Sequence, residues 1–401
     1  MLSDGPDPNH YYITDTFILW TARNRTSDPR GRCPQRLGVR PITMKTLVTA
    51  NFSDDGIERL ESLGLDVQFD PIEERDGRMP VEALKERLQG VKIFVSGFEG
   101  VPAELMDAAT DLDLIACPRG GPEASVDIGA ATERGIPVLY APGRNAETVA
   151  DHTLGLLLSI TRNISLAHHR LHEGTYTGSP SADAAEGGER EDVTWGIGKD
   201  SPYVTLRGPE LGSRTLGIIG FGRIGRRVAK RAKDGFNMDV IAYDPFVDHV
   251  EMEPFGAKKL TDLQKLCRRS DVVSLHAGVN PTSRDLVGPA EFEAMPDHAV
   301  FVNTARAAII QEGSLVEALQ NDEIWGAAMD VYHQEPIAED DPLLEMDNVV
   351  TTPHIASASR DVIDRHSTLI AEDIEALLSG DDPMHVKNPE ALKEFNLTLG
   401  E

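Results

Sequence analysis

The sequence predicts an α/β protein of two domains, each with a parallel sheet, and three observations carry that expectation. Short β-rich runs alternate with helix-like stretches along most of the chain. The alternation comes in two series, separated by a long helical pattern and a Gly- and Ser-rich stretch. The 401 residues, 40 % of them hydrophobic, also exceed the roughly 250 to 300 residues at which a single core stops growing.

Residues 1–43 carry Pro, Asp, Asn and Arg without periodicity and read as an N-terminal tail or a misplaced start. From Thr46 the runs TLVTANF, DVQFD, KIFVSG, DLIAC and IPVLY alternate with DDGIERLESLG, PVEALKERLQ, PAELMDAAT and SVDIGAATERG. A single long helix is expected from Ala146 to about His172, because Val149, Leu154, Leu157, Ile160, Ile164 and Leu171 keep helical spacing. It links domains or subunits. Residues 173–209 read as an extended surface loop or arm. From Thr215 the runs LGIIGF, VIAYD, VVSLHA, VFVNTA, AAMDVY and NVVTTPH give six strands of a doubly wound dinucleotide fold. The last helix, about Ser359 to Leu378, is amphipathic through Val362, Ile363, Leu369, Ile370, Ile374 and Leu377 and is expected to return to the first domain. The first domain is therefore discontinuous, 44–143 with 357–390, and the second spans 144–356.

Composition narrows the partners. With 66 acidic against 39 basic residues the formal charge is -27, a field that repels phosphate backbones and anionic lipid, so neither nucleic acid nor membrane is an expected partner. Only 11 of the basic residues are lysines. Acid excess with scarce lysine resembles proteins of salt-accumulating cells, so a halophilic protein is expected. Cys33, Cys117 and Cys267 are odd in number and lack paired spacing, which suits a reducing compartment and ordinary core or surface positions. No apolar stretch reaches the ~20 residues of a membrane span, and no export signal begins the chain. A cytoplasmic location follows.

The string GFGRIG sets Gly220, Gly222 and Gly225 in GxGxxG order between an apolar strand and the helical stretch RIGRRVAKRAKD. The first glycine allows the tight turn, the second lets amides approach a pyrophosphate, and the third lets helix and strand pack closely. Asp244 follows Gly225 by 19 residues at the end of the next strand, where a carboxylate accepts the adenosine ribose hydroxyls and repels a 2′-phosphate. NAD is preferred over NADP. Arg223, between the second and third glycines, suits either neutralising the pyrophosphate or a solvated helix face.

Polar residues gather at the carboxyl ends of the predicted strands: His276, Arg306, Asp330 with Glu335 just beyond, and His354. Those ends line the ligand crevice of an open α/β sheet. Oxidising a 2-hydroxy acid needs a cation for the carboxylate, a base for the hydroxyl proton and a group that tunes the base. Arg306 supplies a planar, permanently charged fork. His354 takes the proton in oxidation and returns it in reduction. Glu335, beside it, favours the imidazolium and raises the histidine's pKa. His168 and His172 lie four apart, but no third ligand accompanies them, so no metal site is expected.

In these residues the sequence resembles the D-isomer-specific 2-hydroxyacid dehydrogenase family over about Met44 to Pro389. The supporting segments, in family order, are RGGPEASVDIGAATERGIPVLYAPGRNAETVAD, LGIIGFGRIG, DVVSLH, FVNTARAAII, GAAMDVYHQEP and TTPHIA. The resemblance implies a Rossmann NAD-binding domain with a flavodoxin-like substrate domain. It gives Arg306 as substrate arginine, Glu335 as the histidine's partner and His354 as acid/base. It further implies that Ser96 and Gly97 offer backbone amides to the substrate carboxylate, that Asn145 borders the substrate, and that Asp330 meets the nicotinamide carboxamide. The expected cofactor contacts are then Gly220, Gly222, Arg223, Ile224, Gly225, Asp244, His276, Thr304 and Asp330.

The implied partner is a small 2-keto or 2-hydroxy acid such as phosphoglycerate, glycerate, glyoxylate or a lactate-like acid, and the implied assembly is a homodimer. Two departures lie near the nicotinamide: Ala307 stands where the family usually has glycine, and Ala277 with Gly278 replaces a common valine or proline pair. The small C-terminal regulatory domain of many phosphoglycerate dehydrogenases has no counterpart, so serine feedback through it is not expected. Arg119, in CPRGGP, suits a phosphate or a brace for the interdomain turn. A corepressor-like NAD(H) sensor with little catalysis is the alternative, and intact Arg306, Glu335 and His354 argue against it. A formate dehydrogenase would have glutamine at the Glu335 position.

Overall fold

The computed structural model describes residues 44–177, 199–393 and 395, so the expectations for residues 1–43, Cys33 and most of the 173–209 arm lie outside the described residues. Two all-parallel sheets form the frame. The first has five strands in the order β2-β1-β3-β4-β5: β1 Met44–Val48, β2 Leu65–Phe69, β3 Ile93–Val95, β4 Leu114–Cys117 and β5 Val138–Tyr140. The second has seven in the order β12-β11-β10-β9-β6-β7-β8: β6 Thr215–Ile219, β7 Asp239–Tyr243, β8 Ala257–Leu260, β9 Val272–Leu275, β10 Val300–Asn303, β11 Gly326–Met329 and β12 Val349–Thr351.

Central strands are buried on both faces, β4, β9, β10 and β11 along their whole length, which is why they read as continuous apolar runs rather than alternating ones. Helices cover both faces of each sheet and close four apolar clusters, two per sheet. The final helix Arg360–Leu378, capped by the Ser359 hydroxyl accepting from the Asp361 amide, packs Ile370, Ala371, Ile374, Leu377 and Leu378 against the first sheet.

Three features differ from expectation. The helix expected from Ala146 to His172 is two helices, Ala146–Thr161 and Ile164–His172, because Asn163 takes a left-handed conformation with φ 53°. The second sheet has a seventh strand, β8, whose sequence AKKL carries two lysines and no apolar run. Within the stretch read as a loop, Pro202–Thr205 forms one helical turn.

Both sheets present the carboxyl ends of their strands to the site. In the second sheet the strand order reverses between β6 and β9, so the loops after these two strands diverge and leave a crevice above the sheet.

Candidate active site

The crevice opens as two connected hollows that share His276, Ala277 and Gly278. One, of about 430 Å³, lies over the glycine turn and Asp244. The other, of about 890 Å³, reaches from Ile224 to Arg306, His354 and the first-sheet residues Phe98, Arg119 and Arg144.

At the glycine turn, Gly220 has φ 91° and backs directly onto the Ala277 backbone, so any side chain there would collide with the chain after β9. Gly225 sits against the Gly220 carbonyl and lets the helix Arg223–Phe236 pack on its strand, while Gly222 faces open space. These are the properties of a pyrophosphate cradle at a helix N-terminus. The Asp244 carboxylate accepts the Phe221 and Phe246 amides, each at 2.8 Å, and lines the smaller hollow, where it keeps lone pairs for ribose hydroxyls. His276 donates or accepts at Nε2 with the Ser274 hydroxyl at 2.8 Å, while its buried Nδ1 has no protein partner. Burial pushes its pKa down to about 3, so the ring is neutral. A glycine cradle, an acceptor carboxylate and an orphaned ring nitrogen at the junction of the hollows together fit a dinucleotide.

Other expected cofactor contacts are placed less simply. Ile224 and Thr304 line the larger hollow, but the Thr304 hydroxyl is bonded to Thr153 at 2.9 Å. The Arg223 side chain packs on Gly143 after β5, away from the lining of both hollows. Asp330 is fully buried and accepts the Thr352 hydroxyl at 2.6 Å and the amides of Ile355 and Ala356, both at 2.8 Å. It therefore anchors the turn that carries His354. His152 also bonds Thr352, at 3.2 Å.

Arg306, Glu335 and His354 come together. His354 lies after β12 with φ 53°, and its Nδ1 meets Glu335 Oε2 at 2.7 Å. The other Glu335 oxygen accepts the Tyr332 amide at 3.1 Å. Burial alone would raise the Glu335 pKa, but the bonds from His354 and Tyr332 and the charges of His354 and Arg306 hold it below the ordinary carboxylate value. Since Nδ1 is taken, Nε2 is the ring nitrogen left for a ligand in the hollow that His354 lines. Arg306 follows β10 and shares that hollow, with one guanidinium nitrogen on the Ala305 carbonyl at 2.6 Å. A cation, a ring nitrogen and an ionised carboxylate behind the ring make a device for binding a carboxylate and moving a proton beside it.

The expected role of Ser96 and Gly97 needs correction. The Ser96 amide donates to the Ala116 carbonyl at 2.8 Å, and the Gly97 amide to Thr49 Oγ1 at 3.2 Å and Glu99 Oε2 at 3.0 Å. Both amides are spent inside the first sheet, and Phe98, Gly120 and Gly121 line the hollow instead. Asn145 does line it, at the start of the helix Ala146–Thr161. Arg144 was missed. The signal was available, because Arg144 and Arg119 each follow a first-sheet strand, the position that singled out residues of the second sheet.

The rings of His168 and His172 are 4.2 Å apart, and no group of three or more metal-ligating side chains gathers among the described residues. Cys117 and Cys267 are buried, which pushes their thiols up to about 11 and about 12.

Residues 154–356 match the family model described as "D-isomer specific 2-hydroxyacid dehydrogenase, NAD binding domain". The chain is 36 % identical over 337 residues to D-3-phosphoglycerate dehydrogenase of Archaeoglobus fulgidus, covering 84 % of this chain and 58 % of that enzyme. To glyoxylate reductase of Korarchaeum cryptofilum it is 32 % identical over 351 residues, covering 87 % of this chain and 97 % of the reductase. The crystal structure of the TT0316 protein from Thermus thermophilus superposes with a TM-score of 0.70 at 32 % identity, covering 86 % of this chain and all of that one. The chain thus spans little more than half of the phosphoglycerate dehydrogenase and nearly all of the reductase.

Proposed function

The chain belongs to the D-isomer specific 2-hydroxyacid dehydrogenase family and carries its NAD-binding domain, and from that premise we propose that it interconverts a D-2-hydroxy acid and its 2-keto acid. NAD, when bound, takes up or gives the hydride exchanged with carbon 2. The chain's own residues do the rest. Arg306 binds the substrate carboxylate and polarises the carbonyl oxygen next to it. His354 Nε2 gives a proton to that oxygen in reduction and removes it in oxidation. Glu335 holds the ring through Nδ1 and stabilises its charged form. Asp330 positions the histidine turn through two amides.

The observation that carries this reading is the 2.7 Å His354–Glu335 pair, whose histidine lines one hollow with Arg306 and with Ile224 of the glycine motif. The variant His354→Asn is expected to lower kcat/KM for keto-acid reduction by about 10²- to 10⁴-fold, while NADH fluorescence quenching still saturates. Unchanged turnover in this variant would remove the reading.

Three further properties are part of the proposal. A homodimer is supported by the helix Ile164–His172, none of whose residues is buried and which exposes Ile164 and Leu171. A cytoplasmic site of action suits the reducing chemistry and the two buried free thiols. Adaptation to high salt accounts for the charge of -27 with 11 lysines.

A further inference from the structure

Several arginines of this acid-rich chain are paired: Arg59, Arg75, Arg134, Arg226 and Arg231 each have a carboxylate within 4 Å. Three others line the larger hollow together. Among the described residues Arg119, Arg144 and Arg306 have no carboxylate at that distance, although acidic residues outnumber basic ones 66 to 39.

Arg144 follows β5 and is mostly withdrawn from water. Its Nη1 meets His366 Nδ1 at 3.1 Å, and His366 Nε2 meets the Asn51 carbonyl at 2.8 Å. A carbonyl only accepts, so Nε2 carries the hydrogen and Nδ1 accepts from Arg144. A neutral ring therefore aims the guanidinium and leaves its charge uncompensated. Burial, and then the repulsion of Arg119, depress the Arg144 pKa. Arg119, after β4, lies over the Phe98 ring at 4.8 Å and donates to the Ser125 hydroxyl at 3.2 Å. The one carboxylate on the nearby rim, Glu123, pairs with Lys387 at 3.3 Å.

A 2-keto acid with one carboxylate satisfies Arg306 and leaves the two first-sheet cations facing the hollow unanswered. Resting on the keto-acid reading above, we infer that the substrate carries a second anionic group, a carboxylate or a phosphate, bound by Arg144 and Arg119 while Arg306 holds the carboxylate next to the reacting carbon. Arg144 and Arg119, which line the same hollow as Arg306, are then specificity residues.

The test compares kcat/KM for NADH oxidation with oxaloacetate, 2-oxoglutarate and phosphohydroxypyruvate against glyoxylate, pyruvate and hydroxypyruvate at fixed ionic strength. The wild type is expected to prefer at least one dianion, and the arm preferred distinguishes carboxylate from phosphate. In Arg144→Gln the ratio of dianion to monoanion kcat/KM is expected to fall about 10- to 100-fold, and in Arg144→Lys by less. A wild-type preference for monoanions, or a ratio that Arg144→Gln leaves in place, overturns the inference while leaving the dehydrogenase reading intact. Should no keto acid turn over, calorimetry with phosphoglycolate and acetate on the NADH complex separates the two claims. Tighter phosphoglycolate binding that is lost in Arg144→Gln supports the anion site without the chemistry, and equal binding of the two anions refutes it.

Discussion

His354 has a backbone conformation that few non-glycine residues adopt, and Asp330 holds it there by accepting the next two amides. The imidazole is thus presented by a fixed turn, and Glu335 settles which nitrogen faces the ligand. Because His354, Tyr332 and Arg306 keep Glu335 ionised below the ordinary carboxylate range, the anion is present throughout neutral pH and is lost only in acid. Removing the anion in Glu335→Gln is expected to lower kcat/KM for keto-acid reduction roughly 10- to 100-fold at pH 8. A kcat/KM equal to that of the wild type counts against the pair. Residue types and strand-end positions made Arg306, Glu335 and His354 legible in the sequence. Ser96 and Gly97 were misread because a loop glycine looks alike whether its amide faces a ligand or, as here, Thr49 and Glu99.

At the scale of elements, the strands of both series were legible because two-sided burial makes them uninterrupted apolar runs. Strand β8 was not, since it closes the sheet's edge with AKKL and needs few apolar side chains. The break at Asn163 was hidden as well, because Ile160 and Ile164 keep a spacing of four across it. The final helix does more than cover the first sheet. It carries His366, whose neutral ring joins Arg144 to the Asn51 carbonyl. Burial first, and the Arg144 charge after it, push this histidine down to about 4. A folded state that refuses a proton the unfolded chain accepts loses stability as pH falls from about 6.5 toward about 4. His366 alone should cost about 2 kcal/mol of unfolding free energy between pH 7 and pH 5. Guanidinium unfolding at the two pH values is expected to show that loss in the wild type and a smaller one in His366→Asn. An equal pH dependence in both proteins would show that the ring titrates freely.

At the scale of the molecule, a chain of formal charge -27 has a hollow lined by three guanidiniums without carboxylate partners among the described residues. A small anion is repelled by the surface and attracted by the cleft, and salt weakens the surface term more than the partly buried one. Substrate capture is therefore expected to improve with salt. No helix among the described residues is long and apolar enough to cross a membrane. The most direct test of the central claim is NADH oxidation by the purified full chain with the six keto acids named above, from low to molar KCl. Turnover of at least one keto acid to its D-2-hydroxy acid is expected, with kcat/KM rising as KCl is added. NADH bound but no keto acid reduced at any salt concentration would contradict it and leave an NAD(H)-binding protein without the chemistry.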